Sequence, residues 1–150
     1  MRAMVIVAVL LLGWSAANAQ EAPAQVPGAV TVNVLQARYL YEQGALFVDV
    51  RPQREWLWGH VNGAVQLGLA DEFKSLKQPD LPREIALVIY CESEICSAGA
   101  QAAKLAVSWG YSQVYYFREG YFAWQLLDFP LAKGFEEPNG LIAQATRVAH

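Results

Sequence analysis

This sequence is short of charge. Only 17% of its 150 residues are Asp, Glu, Lys or Arg, against 55% hydrophobic residues, and the net charge is −3. No basic cluster appears anywhere, which excludes nucleic acid as an expected partner. A long apolar run is also missing. The stretch from Ala3 to Leu12 is too short to span a bilayer as a helix. There is no internal repeat. Cysteine is nearly absent: the chain has Cys91 and Cys96, with four residues between them. A bridge that short closes a small loop and staples almost nothing, so a disulfide framework is excluded. If the bridge forms, it is expected as a redox or protective state of the loop rather than as a brace.

The chain is long enough for one compact domain. Its first 19 residues carry Arg2, an apolar run and Ala17-Asn18-Ala19, the layout of a secretory signal peptide with a small-residue cleavage site. A retained membrane anchor is the alternative; no cysteine lies near the cleavage point to take a lipid. Cleavage would leave Gln20 first, remove Arg2 with no acid, and take the charge from −3 to −4. The expected location is outside the cytoplasm, in a bacterial periplasm, with no membrane association after cleavage.

Residues 20–29, with two prolines and a glycine among small residues, are expected as a flexible lead-in. Strands are expected at 30–32, 46–50, 64–67, 85–90 and 114–117. Asn33 suits an N-cap for a helix through Tyr41, with Gly44 after its end. Pro52 opens a short helix holding Glu55, Trp56 and Leu57. Residues 59–63 read as a turn, and a polar helix covers 71–77. Further helices are expected at 98–109, closed by Gly110, and at 121–127, stopped by Pro130. Four of the five tryptophans, Trp56, Trp58, Trp109 and Trp124, are expected in core or turn packing. Residues 131–150 are expected as a C-terminal tail, loose from 133 on, and the terminal His150 as disordered.

Strands alternating with helices predict an α/β domain, with a central, mainly parallel sheet and helices on both faces. Sites in such sheets form beyond the carboxyl ends of the strands. Asp49, Arg51 and Cys91 all stand at such ends. Cys91 also sits between the apolar strand 85–90 and the helix starting at Ala98. Free N–H groups at that helix start favour an anion and bias the thiol towards thiolate.

These residues together resemble the rhodanese (sulfurtransferase) domain in its small single-domain form, over residues 30–130. Asp49-Val50-Arg51 is similar to the D-x-R after the family's second strand. Glu55-Trp56 followed by Gly59-His60 and Gly63-Ala64 is similar to its E-aromatic-x-x-G-H-x-x-G-A signature. Cys91, five residues and Ser97 resemble its active loop. Gly110-Tyr111-x-x-Val114 and Gly120-x-x-Ala123-Trp124 resemble its closing motifs. The resemblance implies that Cys91 takes a sulfane sulfur from a small donor, holds it as a persulfide and passes it to cyanide, a thiol or a partner protein. It implies a cradle from the backbone amides of Glu92, Ser93, Glu94, Ile95, Cys96 and Ser97, and neither a metal nor an organic cofactor. Asp49 is expected to cap the strand end and shape the site. Arg51 is expected as a structural ion-pair partner, with Glu55 the candidate, and His60 as a structural hydrogen-bonding residue rather than a base.

The loop departs from the frequent Cys-x-x-Gly-x-Arg-Ser pattern. Glu94 stands at the Gly position and Cys96 at the Arg position. Glu92 and Glu94 would raise the thiol pKa and repel a dianion, so weak thiosulfate activity is expected. Cys96 is either a small apolar residue or a resolving thiol that attacks a Cys91 persulfide or sulfenate and yields a disulfide. Glu119, where the family more often has glycine, is expected to alter only a turn. A thiol-disulfide protein and a catalytically silent binding module are the competing readings. Phosphatase chemistry is excluded, because the position six after Cys91 is Ser97 and not the arginine that clamps phosphate.

Overall fold

The computed structural model describes residues 21–135 and 141–148. The signal-peptide expectation for residues 1–19 and the disordered end at His150 lie outside the described residues. Among the described residues no helix is long and apolar enough to cross a membrane.

Five parallel strands form the central sheet in the order β1-β6-β5-β2-β4. They are β1 (Val30–Val32), β2 (Leu46–Asp49), β4 (Val65–Gln66), β5 (Ala86–Tyr90) and β6 (Gln113–Phe117). All four pairings are parallel, and Asp49 of β2 faces Tyr90 of β5 in register. β3 (His60–Val61) pairs antiparallel with β7 (Leu131–Ala132) as a separate two-stranded ribbon. The helices are α1 (Val34–Glu42), α2 (Gln53–Trp58), α3 (Ala98–Ser108), α4 (Gly120–Leu126) and α5 (Leu141–Val148). The polar segment expected as a helix forms a single 3₁₀ stretch, Glu72–Lys77.

The two-residue alternation along the strands explains the layering. Leu46 and Val48 of β2, with Leu87 and Ile89 of β5, point to one face and meet α3, the 3₁₀ stretch and Ala145 of α5. Phe47, Val88 and Tyr90 point to the other, against Ala37 of α1, Trp56 of α2 and Trp124 of α4. Helices therefore cover both faces, as the sequence pattern predicts. The α1 start carries the expected cap: the Asn33 side chain accepts from the Gln36 N–H, and the Gln36 side chain accepts from the Asn33 N–H.

The two ends of the domain differ from expectation. The lead-in is not loose. Ala22 and Val26 are buried, and the Thr31 hydroxyl donates to the Ala24 carbonyl at 2.8 Å. Gly28 has φ +83°, and a Cβ there would meet Val107 of α3 at 2.6 Å, so only glycine lets the segment lie this close to the helix. The tail is not loose throughout either. It contributes β7 and α5, and Leu141, Ala145 and Val148, one helical stripe, pack on the first core face. Trp58, expected in packing, is 82% exposed.

Trp124 is fully buried, touches Tyr41, Phe47, Phe117 and Phe129 by ring contacts, and donates from Nε1 to the Pro130 carbonyl at 2.9 Å. Trp124→Ala is expected to lower stability by about 3–5 kcal/mol in urea unfolding; a loss below about 1 kcal/mol would show that this ring does not hold its layer.

Candidate active site

β5 ends at Tyr90 and α3 begins at Ala98, so residues 91–97 turn the chain from strand to helix at the carboxyl edge of the sheet. The loop is fixed from outside by α4. The Tyr121 N–H donates to the Cys91 carbonyl at 2.9 Å and the Phe122 N–H to the Glu92 carbonyl at 3.0 Å. These are first-turn N–H groups with no partner in their own helix. Gly120 makes the approach possible. Its φ is +69°, and a Cβ would stand 2.5 Å from the Cys91 carbonyl oxygen and 2.8 Å from the Glu92 carbonyl carbon.

With those carbonyls held by α4, the N–H groups of Glu92, Ser93, Glu94 and Ile95 donate to no group among the described residues. The first-turn N–H groups of α3 lack helical acceptors for the same reason as those of α4. Together they make an anion-favouring rim beside Cys91. One member of the expected cradle drops out: the Cys96 N–H is spent on the Ser93 carbonyl at 3.1 Å. Ser97 precedes α3 without a capping bond; its hydroxyl accepts from Gln101 at 3.0 Å.

Cys91 is buried, at 6% exposure, and is joined to Cys96 as a disulfide with Cα atoms 6.2 Å apart. That separation is ordinary for a bridge, and the loop makes it while its bonds to α4 are in place. The structure therefore holds the loop oxidised, with the candidate nucleophile capped.

Acidic groups crowd the same place. The Glu55 and Glu92 carboxyls lie close enough to share a hydrogen bond; burial, and then the Glu92 charge, push the Glu55 pKa up. Glu94 also ties the lead-in to the loop, since its carbonyl accepts from the Ala22 N–H at 2.6 Å. Arg118 reinforces the tie by donating to the Ala22 carbonyl at 2.9 Å and pairing with Glu21 at 3.0 Å.

The supporting residues form a buried post behind the loop. Asp49 caps the strand end by accepting from the Arg51 N–H at 3.0 Å, and its carboxylate takes the Arg51 guanidinium at 2.9 and 2.6 Å. Both side chains are buried, so the arginine's partner is Asp49 and not Glu55. Glu55 makes no hydrogen bond to it and acts on Arg51 only through its charge, at longer range. Burial alone would depress the Arg51 pKa; the hydrogen bond and charge of Asp49 outweigh it and hold the guanidinium above its usual value. Arg51 also donates to the Gly59 carbonyl at 2.8 Å and lies over the Tyr121 ring, 4.2 Å from its centre. A Cβ on Gly59 would run into the Tyr121 hydroxyl, which accounts for the glycine before His60. His60 is fully buried, stacks on Trp56 and donates from Nδ1 to the Trp56 carbonyl at 2.9 Å. Its Nε2 is buried with no partner among the described residues.

Three tyrosines escaped the sequence reading, and a fourth group, Glu119, has a larger part than expected. Tyr121 joins Arg51 to the loop. Tyr90 accepts at its hydroxyl from the Val61 N–H at 3.2 Å; burial and the Asp49 charge drive its pKa well up, so it stays protonated. Tyr116 is buried against the start of α3 with no partner for its hydroxyl among the described residues. Glu119 does more than alter a turn: its carboxylate accepts from the Val34 N–H at 2.6 Å, a bond a glycine could not make, and so ties the approach to α4 to the start of α1. No spacing rule marks Tyr90, Tyr121 or Glu119, since Val61, Arg51 and Val34, the partners they reach, are 29 or more residues away. A cleft of about 610 Å³ lined by Phe47, Trp56, Gln66 and Leu141 contains none of residues 91–97. The chemistry points to the loop rather than to that cleft.

Arg51→Met is expected to destabilise the fold by about 3–5 kcal/mol in chemical unfolding, because it strands the Asp49 charge. The double variant with Asp49→Leu should cost less than the single one. A double variant as costly as the sum of its parts would overturn the pairing.

The comparisons with known proteins agree with this geometry. Residues 31–127 match the model of the rhodanese-like domain. The chain is 28% identical over 120 residues to thiosulfate sulfurtransferase 18 of Arabidopsis thaliana, covering 73% of this chain and 88% of that one. It is 32% identical over 89 residues to thiosulfate sulfurtransferase GlpE of Pseudomonas fluorescens, covering 59% and 78%. The human single-domain sulfurtransferase superposes with a TM-score of 0.58 at 28% identity, over 65% of this chain and 96% of that one. The rhodanese-like domain of an Anabaena protein gives 0.61 at 21% identity, over 73% and 85%. A strand-to-helix loop bearing a cysteine, held by a close-packed glycine turn on a parallel α/β sheet, and a family match across most of the described residues lead to one conclusion: this chain belongs to the rhodanese-like domain family.

Proposed function

We propose that the protein is a sulfurtransferase in which Cys91, once reduced, carries sulfane sulfur as a persulfide. The observation that carries this reading is the placement of Cys91 beside the uncommitted N–H groups of residues 92–95. The thiolate attacks the outer sulfur of a donor R–S–S⁻ or of thiosulfate. The S–S bond of the donor breaks, and the thiolate or sulfite leaves with the electron pair. The new anionic sulfur on Cys91 lies where backbone N–H groups favour negative charge. An acceptor such as cyanide or a thiol then attacks that sulfur, and Cys91 departs as thiolate. The intermediate is covalent, so the kinetics are ping-pong.

The surroundings select among donors. A helix terminus favours an anion by about 0.3–1 kcal/mol. One carboxylate about 8 Å away, at an effective dielectric of about 20, opposes it by about 2 kcal/mol. Glu92, Glu94 and Glu55 together therefore outweigh the backbone for a dianion, and a singly charged organic persulfide suits the site better than thiosulfate. The disulfide of the loop fits an oxidising compartment, which export through residues 1–19 would supply.

Reduced protein treated with an organic persulfide should gain the mass of one sulfur atom, lose it to cyanide as thiocyanate, and gain nothing as Cys91→Ser. To leave Cys96 out of the result, the test is made in a Cys96→Ser background; no uptake there would sink the proposal. Separately, thiosulfate turnover should be poor at low salt, rise with ionic strength, and rise in Glu92→Gln/Glu94→Gln. A turnover indifferent to both changes would show that the carboxylates do not govern donor choice.

A further inference from the structure

We infer that the protein is also a sulfane-sulfur reductase: Cys96 discharges the Cys91 persulfide as hydrosulfide and leaves the loop as the disulfide seen in the structure. This rests on Cys91 being the sulfur acceptor. The bridge shows that the two sulfur atoms reach bonding distance within the folded loop, with the Cys96 N–H still on the Ser93 carbonyl and the Cys91 carbonyl still on α4. The attack therefore needs no unfolding. Cys96 is half-buried and packs on the core around Cys91, so its sulfur is kept near its target.

The step balances without an added oxidant. The Cys96 thiolate attacks Sγ of Cys91, the inner sulfur of the persulfide. The new Sγ–Sγ bond forms as the bond to the outer sulfur breaks. The outer sulfur leaves with the electron pair and takes up a proton to become hydrosulfide. The sulfane sulfur is reduced by two electrons and the cysteine pair is oxidised by two. The leaving sulfur is the atom beside the free N–H groups of residues 92–95, which favour its charge as it grows. A tethered thiol acts at an effective concentration of millimolar or above, so a dilute external acceptor competes poorly with it. Each further turnover needs a dithiol reductant to reopen the loop, by ordinary thiol-disulfide exchange.

Two features separate this behaviour from simple transfer. Sulfide appears without any external acceptor, and the protein ends as a disulfide rather than a persulfide. The test uses reduced protein freed of reductant, with glutathione persulfide added in equal amount. The wild type should release one hydrosulfide per chain above the blank, lose both titratable thiols, and end two hydrogens lighter. Cys96→Ser should keep the added sulfur and release sulfide only at the blank level. Wild-type protein that holds a stable added sulfur, with sulfide at the blank level, would overturn the inference and leave the sulfurtransferase reading intact. Failure of Cys96→Ser to take up sulfur would overturn both.

Discussion

The buried pair between Asp49 and Arg51 is the contact on which the site depends. Asp49 ends β2 opposite Tyr90, the last residue of β5. Arg51 reaches from that point to the Gly59 carbonyl at the end of α2 and to the ring of Tyr121 in α4. Tyr121 in turn holds the Cys91 carbonyl. One guanidinium thus connects two strand ends, two helices and the active loop. The desolvation of two buried charges offsets much of their attraction, so the pair adds little net stability. Its consequence is geometric: its hydrogen bonds and ring contact hold the strand ends, α2 and α4 in the arrangement that presents the loop.

The loop itself is a balance between opposed fields. Backbone N–H groups draw negative charge to Cys91, while Glu55, Glu92 and Glu94 repel it. In the function proposed above, a thiol in that balance discriminates between donors by their charge. Cys96 adds a second axis, since the oxidised loop has no nucleophile and the reduced one has two thiols. The acidic groups and the bridge thus lie within the same few residues, next to a lead-in that Glu94 and Arg118 hold down.

Much of this architecture is legible along the chain because its causes are local. Apolar alternation in β2 and β5, the Asn33 cap and the prolines around the 3₁₀ stretch act within a few residues, and the elements they predict are present. The α5 stripe of Leu141, Ala145 and Val148 went unread, since no strong cap announces it and the segment is expected as a loose tail. The ribbon of β3 and β7 was not. Its two strands are two residues each and exist only because residues some 70 apart meet. The same holds for Glu119 on Val34 and for the lead-in, whose Pro and Gly content suggested looseness while its burial depends on α3 and on the active loop.

By itself, the sequence determined the class of fold, the position of Cys91 at a strand-to-helix junction, and the glycines around it, because periodicity and short motifs record local backbone requirements. The tertiary structure alone decided the partners: Asp49 rather than Glu55 for Arg51, Tyr121 and Phe122 for the loop carbonyls, and Cys96 for Cys91. The reason is physical. Hydrogen bonds, ion pairs and bridges depend on distance in space, and a sequence states only distance along the chain.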